Sequence, residues 1–298
     1  MKYLHTIKLS VIALALPLLL TPQGVAAQQT TSDTQLLATI QILLERVQEL
    51  QVLLNQQQAT VTGIDPLEDF AGAIIRVYQI ADVLELPAGA AVEHDQYVEQ
   101  LRTLLPEQYS NYIDQFVVFT DHPGDIAAFV AVTTDGRTAQ WAYGVSAKEI
   151  AADPTSNLSA ELMIHEFAHI FSLDQLINST LSTDICHEYF FEQGCFAPGS
   201  YLDQFVESFW DTELLDELVL ANDSRNQQRA LARLYDRYDS EFVTPYAATE
   251  PAEDFAESFT WYVLGMDAER GSVAQEKIDF MTEFSAIRSY KQQITNNL

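Results

Sequence analysis

His165-Glu166-Phe167-Ala168-His169 lies within SAELMIHEFAHIFSL, residues 159–173, and the reading of this stretch decides the fold. The run contains no Gly or Pro, and Leu162, Met163, Phe167, Ile170 and Phe171 spread apolar side chains over more than one side, which predicts a buried helix. A helix places residues four apart on one face, so both imidazoles can reach a single metal ion. Glu166 stands beside that face, where its carboxylate can take a proton from a metal-bound water. The chemistry implied is zinc-assisted hydrolysis, most often of a peptide bond. The plainer alternative is a helix that carries two histidines for packing. By residue frequency such a pentad arises by chance on the order of 0.01 times per chain of this kind. Buried imidazoles and a buried carboxylate also need partners, which a metal would supply.

A catalytic zinc takes three protein ligands and keeps one position open for water. A third His at the spacing H-E-x-x-H-x-x-G-x-x-H is absent, because Ser172 and Gln175 occupy the Gly and His positions. That excludes the metzincin arrangement and leaves a carboxylate from a later helix. The candidate stretch is TEPAEDFAESF, residues 249–259. Thr249 can cap a helix, and Pro251 can open one without forfeiting a needed N–H. Glu253 and Glu257 then share one face, with Phe255 and Phe259 on the other side. Two acids so placed repel each other unless a cation or hydrogen-bond donors intervene. A first turn enriched in acids for the helix dipole is the competing explanation, and spacing alone leaves the two level.

HEFAH together with YAATEPAEDFAESF (residues 246–259) resembles the gluzincin metallopeptidases related to anthrax lethal factor and the Pro-Pro endopeptidases. Their second motif runs from a Tyr through a short spacer to E-x-x-x-A/F-E-x-F. The resemblance implies a zincin-like domain in which Glu253 ligates one Zn²⁺ with His165 and His169. It also implies that Glu257 supports the site from behind and that Tyr246 aids the transition state. The loop bounded by cysteines, followed by SYLDQFVESFW (residues 200–210), also resembles a group of exported bacterial proteins described as zinc metallopeptidases. Both motifs cover a small part of the chain, and Ala168 stands where relatives often have Gly.

The remainder bounds the setting. Lys2 and Lys8, the apolar run Val11 to Leu20 and the small residues Val25-Ala26-Ala27 read as a signal peptide over residues 1–27, with an uncleaved signal-anchor as the alternative. The mature chain is expected to be exported, secreted, periplasmic or at the cell surface, with no membrane span. Removing the signal leaves thirteen basic against 43 acidic residues, a surface that repels nucleic acid and anionic membranes. Cys186 and Cys195 are the only cysteines, and in an exported protein they read first as one disulfide closing a small loop, with metal ligation by either as the alternative. His187 is read as a loop residue, and His94 and His122 as solvated surface histidines. Leu36, Ile40, Leu43, Val47, Leu50 and Leu54 follow heptad spacing, so residues 28–63 are expected to be a coiled-coil-like helix and linker that self-associates through residues 36–54, binds a partner or packs back on the next domain.

Residues 64–298 supply one domain's core. Residues 67–86 read as a helix, and residues 98–114 as a second one interrupted by Pro106. β-like pieces follow at Phe116 to Thr120, Ile126 to Thr133 and Ala139 to Val145, and everything after Ala147 reads as mainly helical. The layout is α+β: a small sheet, the metal helix, then more helices. Ala139 to Val145 is the expected edge on which a peptide would add as a strand. The function expected is an exported zinc metalloendopeptidase acting on a peptide or protein substrate, with Glu166 as general base. Two alternatives stand beside it: a surface interaction protein with a structural or degenerate zinc site, and a non-peptidase zinc hydrolase.

Overall fold

Runs of β-branched and aromatic residues build the first half of the domain, and capped helices build the second. The computed structural model describes residues 67, 70, 72–80, 83–133, 140–152, 156–173, 176–178, 190–191 and 194–298. The expected signal peptide, the coiled-coil-like helix at 36–54, Cys186 and His187 lie outside the described residues.

Strand β1 (Ala73–Gln79) is followed by helix α1 (Val92–Leu104), a short 3₁₀ turn at Glu107–Tyr112, β2 (Ile113–Thr120), β3 (Ala128–Val132) and β4 (Trp141–Ser146). These strands form one mixed sheet in the order β1-β2-β4-β3, with β2 and β4 parallel and the outer pairs antiparallel. Tyr97 and Leu101 of α1 pack under the sheet, where the Tyr97 and Tyr143 hydroxyls meet at 3.2 Å.

Two expectations are corrected here. Within the helix expected over 67–86, AIIRVYQ instead forms β1, because Ile74, Ile75 and Val77 lose rotamer freedom in a helix and fit a pleated surface. Ala139 to Val145 is not an edge: β4 is buried along its whole length and hydrogen-bonded to β2 on one side and β3 on the other. The outer strand beside it is β3.

Ser146 ends β4 and caps the short α2 (Ala147–Ala151), its hydroxyl accepting from Glu149 N. Helix α3 (Asn157–Leu173) carries the pentad. The mainly helical remainder also contains a small three-stranded sheet, β5 (Leu176–Asn178), β6 (Phe190–Phe191) and β7 (Gly194–Phe196), in the order β5-β7-β6. Cys195 is buried on β7.

Helices α4 (Tyr201–Phe209), α5 (Thr212–Asn222) and α6 (Gln227–Arg237) start at Ser200, Asp211 and Asn226, whose side chains accept the backbone N–H three residues on. Helix α7 (Pro251–Leu264) ends at Gly265 in the left-handed conformation, φ 69°, which a side chain would strain. Helices α8 (Val273–Phe280) and α9 (Ser285–Asn297) complete the chain. No helix of the described residues is long and apolar enough to cross a membrane.

Helices α3 and α7 pack against each other. Both carry the same pattern. Phe167 and Phe171 on α3 meet Phe255 and Phe259 on α7, with Phe171 and Phe259 centroids 5.0 Å apart. Such aromatic pairs add about 0.5–1.5 kcal/mol each beyond the area they bury. Ala168 and Ala256, fully buried, fall between the Phe stripe and the His or Glu stripe of each helix and let the backbones approach.

Candidate metal centre

That packing turns His165 and His169 toward Glu253 and Glu257. His165 Nε2 and His169 Nε2 are 3.2 Å apart, and each is 3.1 Å from Glu253 Oε2. Among the described residues these three donors are the group whose geometry can hold a metal ion. Ligand atoms around a tetrahedral zinc at ordinary bond lengths stand about 3.3–3.6 Å apart, so the triangle needs a few tenths of an ångström of relaxation. Two imidazole nitrogens and a carboxylate oxygen converging in a buried place fit a cation between them, and N₂O is a donor set zinc accepts.

One of the two imidazoles, that of His165, also has a carboxylate behind it. Glu257 Oε1 comes within 2.8 Å of His165 Nδ1, off the straight line of its N–H. The other oxygen, Oε2, accepts from Thr244 Oγ1 at 2.7 Å, and Thr244 Oγ1 in turn accepts from Ala247 N at 3.1 Å. Glu257 is thus fixed at both ends. His169 Nδ1 is buried without a hydrogen-bond partner among the described residues.

The electrostatics follow from burial and close carboxylates. Burial opposes charge on His165, yet its contacts with Glu253 and Glu257 outweigh it and raise the imidazole to about 10 in the metal-free protein. Glu253 shows the converse: burial pushes its pKa up, the two imidazoles pull it down further, and the net is well below the usual carboxylate range. Glu166 is buried, with 5 % of the residue exposed. Desolvation raises its pKa, the two imidazoles oppose that, and Glu253 adds to it. A carboxyl moved up toward neutrality is a better proton acceptor.

Tyr246 sits with its ring centroid 5.8 Å from that of His165. Desolvation and then the charges of Glu253 and Glu166 push its phenol up, so it remains a donor. With 53 % of the residue exposed, solvent screens part of this effect.

His165, Glu166, His169, Tyr246, Glu253 and Glu257 all line one cleft of about 770 Å³, whose far wall is β3 together with Trp141. Leu158, Leu162 and Ile126 give the cleft an apolar rim. Thr249, expected as a cap, is not one: Glu250 occupies that position, and Thr249 Oγ1 donates to Tyr246 O at 2.7 Å. His94 and His122 are not free surface groups either. His94 Nδ1 bonds the Tyr78 hydroxyl at 2.9 Å, and His122 Nδ1 accepts from Gly124 N at 3.0 Å with its ring against Phe70. Sequence reasoning missed Thr244, a lone hydroxyl in a loop with no periodicity to flag it.

No family model matches the chain, and no curated protein matches it. Among solved structures it is similar to a "putative zinc-binding metallo-peptidase" from Bacteroides caccae, at 17 % identity, with 67 % of each chain covered and a TM-score of 0.30. A match at that distance assigns neither a family nor an activity to this chain.

Proposed function

We propose that this chain is a zinc-dependent peptidase of the HExxH-plus-Glu type, exported by its N-terminal signal and holding one Zn²⁺ through His165, His169 and Glu253. The observation that carries the reading is the triangle of Nε2, Nε2 and Oε2 at 3.1–3.2 Å, opening on a cleft beside a buried glutamate. A structural zinc is closed by a fourth protein ligand. Here, among the described residues, three donors converge.

Bound zinc would supply Lewis acidity, acidifying a water and polarising the scissile carbonyl. The rest falls to the chain's own groups. Glu166 takes the proton of the attacking water and passes it to the departing amine. Tyr246 donates a hydrogen bond to the carbonyl oxygen as negative charge gathers on it. Glu257, steadied by Thr244, keeps the His165 ring turned for ligation. An extended peptide adds as a strand along β3, whose pairing on one side is to β4. A Cys186–Cys195 disulfide and self-association through residues 36–54 belong to the same proposal.

The test is zinc stoichiometry of the purified protein beside Glu253→Ala. Near one zinc per chain, with a clear loss of affinity in the variant, supports the three-ligand site and warrants a peptide-library search. No zinc in the parent after reconstitution overturns the reading.

A further inference from the structure

Glu253 lies in the turn of α7 with the weakest local support. The first four N–H groups of any helix lack intrahelical partners, Pro251 has no N–H, and the N-cap residue, Glu250, makes no capping hydrogen bond with its side chain. The first helical bond is Asp254 N to Glu250 O at 2.9 Å. A ligand that must hold its place to a few tenths of an ångström therefore sits where a helix ordinarily frays.

What grips this turn is the side chain of Asp254, the next residue, which points away from the metal triangle. It is fully buried, and its Oδ2 accepts from Lys277 Nζ at 2.6 Å and from Trp210 Nε1 at 2.9 Å. Lys277 is also fully buried, which is rare for a lysine. Its ammonium donates a second bond to Glu241 O at 2.7 Å and stands 4.2 Å from the centre of the Phe242 ring. Glu241 closes the turn that leads into the segment bearing Thr244 and Tyr246. One ammonium thus joins the turn carrying the carboxylate ligand to the segment carrying the residues behind and above the metal.

A fully buried ion pair is a poor source of net stability, since apolar residues of the same volume commonly serve as well or better. It does enforce one geometry, because any slip leaves a charge unpaired in a dry interior. We infer that Lys277, with Trp210, is a positioning device for the metal ligand, acting through Asp254 to fix the first turn of α7. This rests on the zinc reading of the site.

The experiment compares chelator-competition zinc affinities, with melting temperatures and visible spectra of the cobalt(II) forms, for the parent and three variants. Trp210→Phe removes one N–H and keeps most of the ring packing; Lys277→Met removes the ammonium; Asp254→Leu with Lys277→Met replaces the pair by apolar side chains. Zinc affinity is expected to fall severalfold in Trp210→Phe. In Lys277→Met it should fall about tenfold to a hundredfold, the range for groups that orient ligands. The double variant should regain melting temperature but neither zinc affinity nor the parent cobalt spectrum. Zinc affinity within twofold of the parent in Trp210→Phe or in the double variant overturns the inference, whatever the melting temperatures. Absence of zinc from the parent overturns instead the reading on which it rests.

Discussion

Gly144 is the point at which the cleft wall is most sensitive to a single methyl group. It lies on β4 directly opposite Phe129 of β3. A Cβ built on Gly144 falls 2.1 Å from Phe129 Cε1, 2.3 Å from Cζ and 2.6 Å from Cδ1. Ordinary contact begins at 3.4 Å, so the ring must retreat by more than about 1 Å. Phe70 and Phe119 stand against the ring at 5.1 and 5.6 Å between centroids and block an easy swing. Overpacking of this kind costs about 1–3 kcal/mol. Alanine returns about 0.4–1 kcal/mol by restricting the unfolded chain, which leaves a net loss of about 1–2 kcal/mol for Gly144→Ala. That corresponds to a fall in Tm of roughly 2–8 °C for a domain of this size. Urea unfolding measures it directly, and adding Phe129→Leu should restore most of the loss by emptying the space the methyl needs. Because Phe129 belongs to the strand proposed to receive substrate, peptide turnover should weaken through KM while zinc content stays at the parent level. A variant as stable as the parent, or a second substitution that recovers nothing, would refute the close approach.

Four further outcomes are expected. Glu166→Gln should keep one zinc per chain and lose at least about 10²–10⁴ in peptide hydrolysis, the contribution of a positioned base; substantial turnover would remove Glu166 from that role. Tyr246→Phe should lower kcat about a hundredfold with zinc content unchanged, as loss of one oxyanion donor does, and an unaltered kcat would leave the phenol without a part in the reaction. Glu257→Gln should weaken zinc binding about tenfold to a hundredfold in chelator competition, and Thr244→Val should act in the same direction by a smaller factor; equal affinity in both would detach the pair from the metal. In excess chelator, the ion pairing of His165, raised from 6.5 to about 10, should stabilise the folded protein fully below pH 6.5. That contribution is lost as pH rises through about 10, so melts across this window should show a decline, and a flat profile would discount the pairing.

Much of the candidate centre was legible because its residues obey a period. HEFAH and the Glu253/Glu257 pair each repeat at four, and four is the spacing a helix converts into a shared face. Groups without a period were not legible. Thr244 is a loop hydroxyl, and Lys277 lies twenty-three residues beyond Asp254, so only the tertiary packing shows that they belong to the site. Strand β1 was misread because it offers no alternation: of its seven residues only Tyr78 is buried, and the apolar residues around it fit a helical spacing equally well. The edge strand was misplaced for a related reason. Burial of β4 on both sides comes from β2 and β3 together, and the order of strands in a sheet is not written in any one of them. One overlooked sign was present: an isolated Gly inside a strand marks a close approach, and Gly144 is such a residue.

The two motifs also explain each other physically. A helix that buries histidines must find them partners, and a helix that half-buries two glutamates four apart must find them opposite charge or donors. Neither α3 nor α7 can meet that demand alone. Each carries a Phe pair at the same spacing on its other side, so the contact that buries Phe167, Phe171, Phe255 and Phe259 brings the polar stripes into register as well. The apolar stripe supplies the favourable free energy, and the polar stripe supplies the constraint that only one register satisfies. A shift of α7 along α3 by one residue would break the Phe contacts and strand Glu253 and Glu257 at the same time. Assembly of the core and assembly of the metal triangle are therefore one event, and the zinc proposed for this site would bind to a geometry that the aromatic packing has already set.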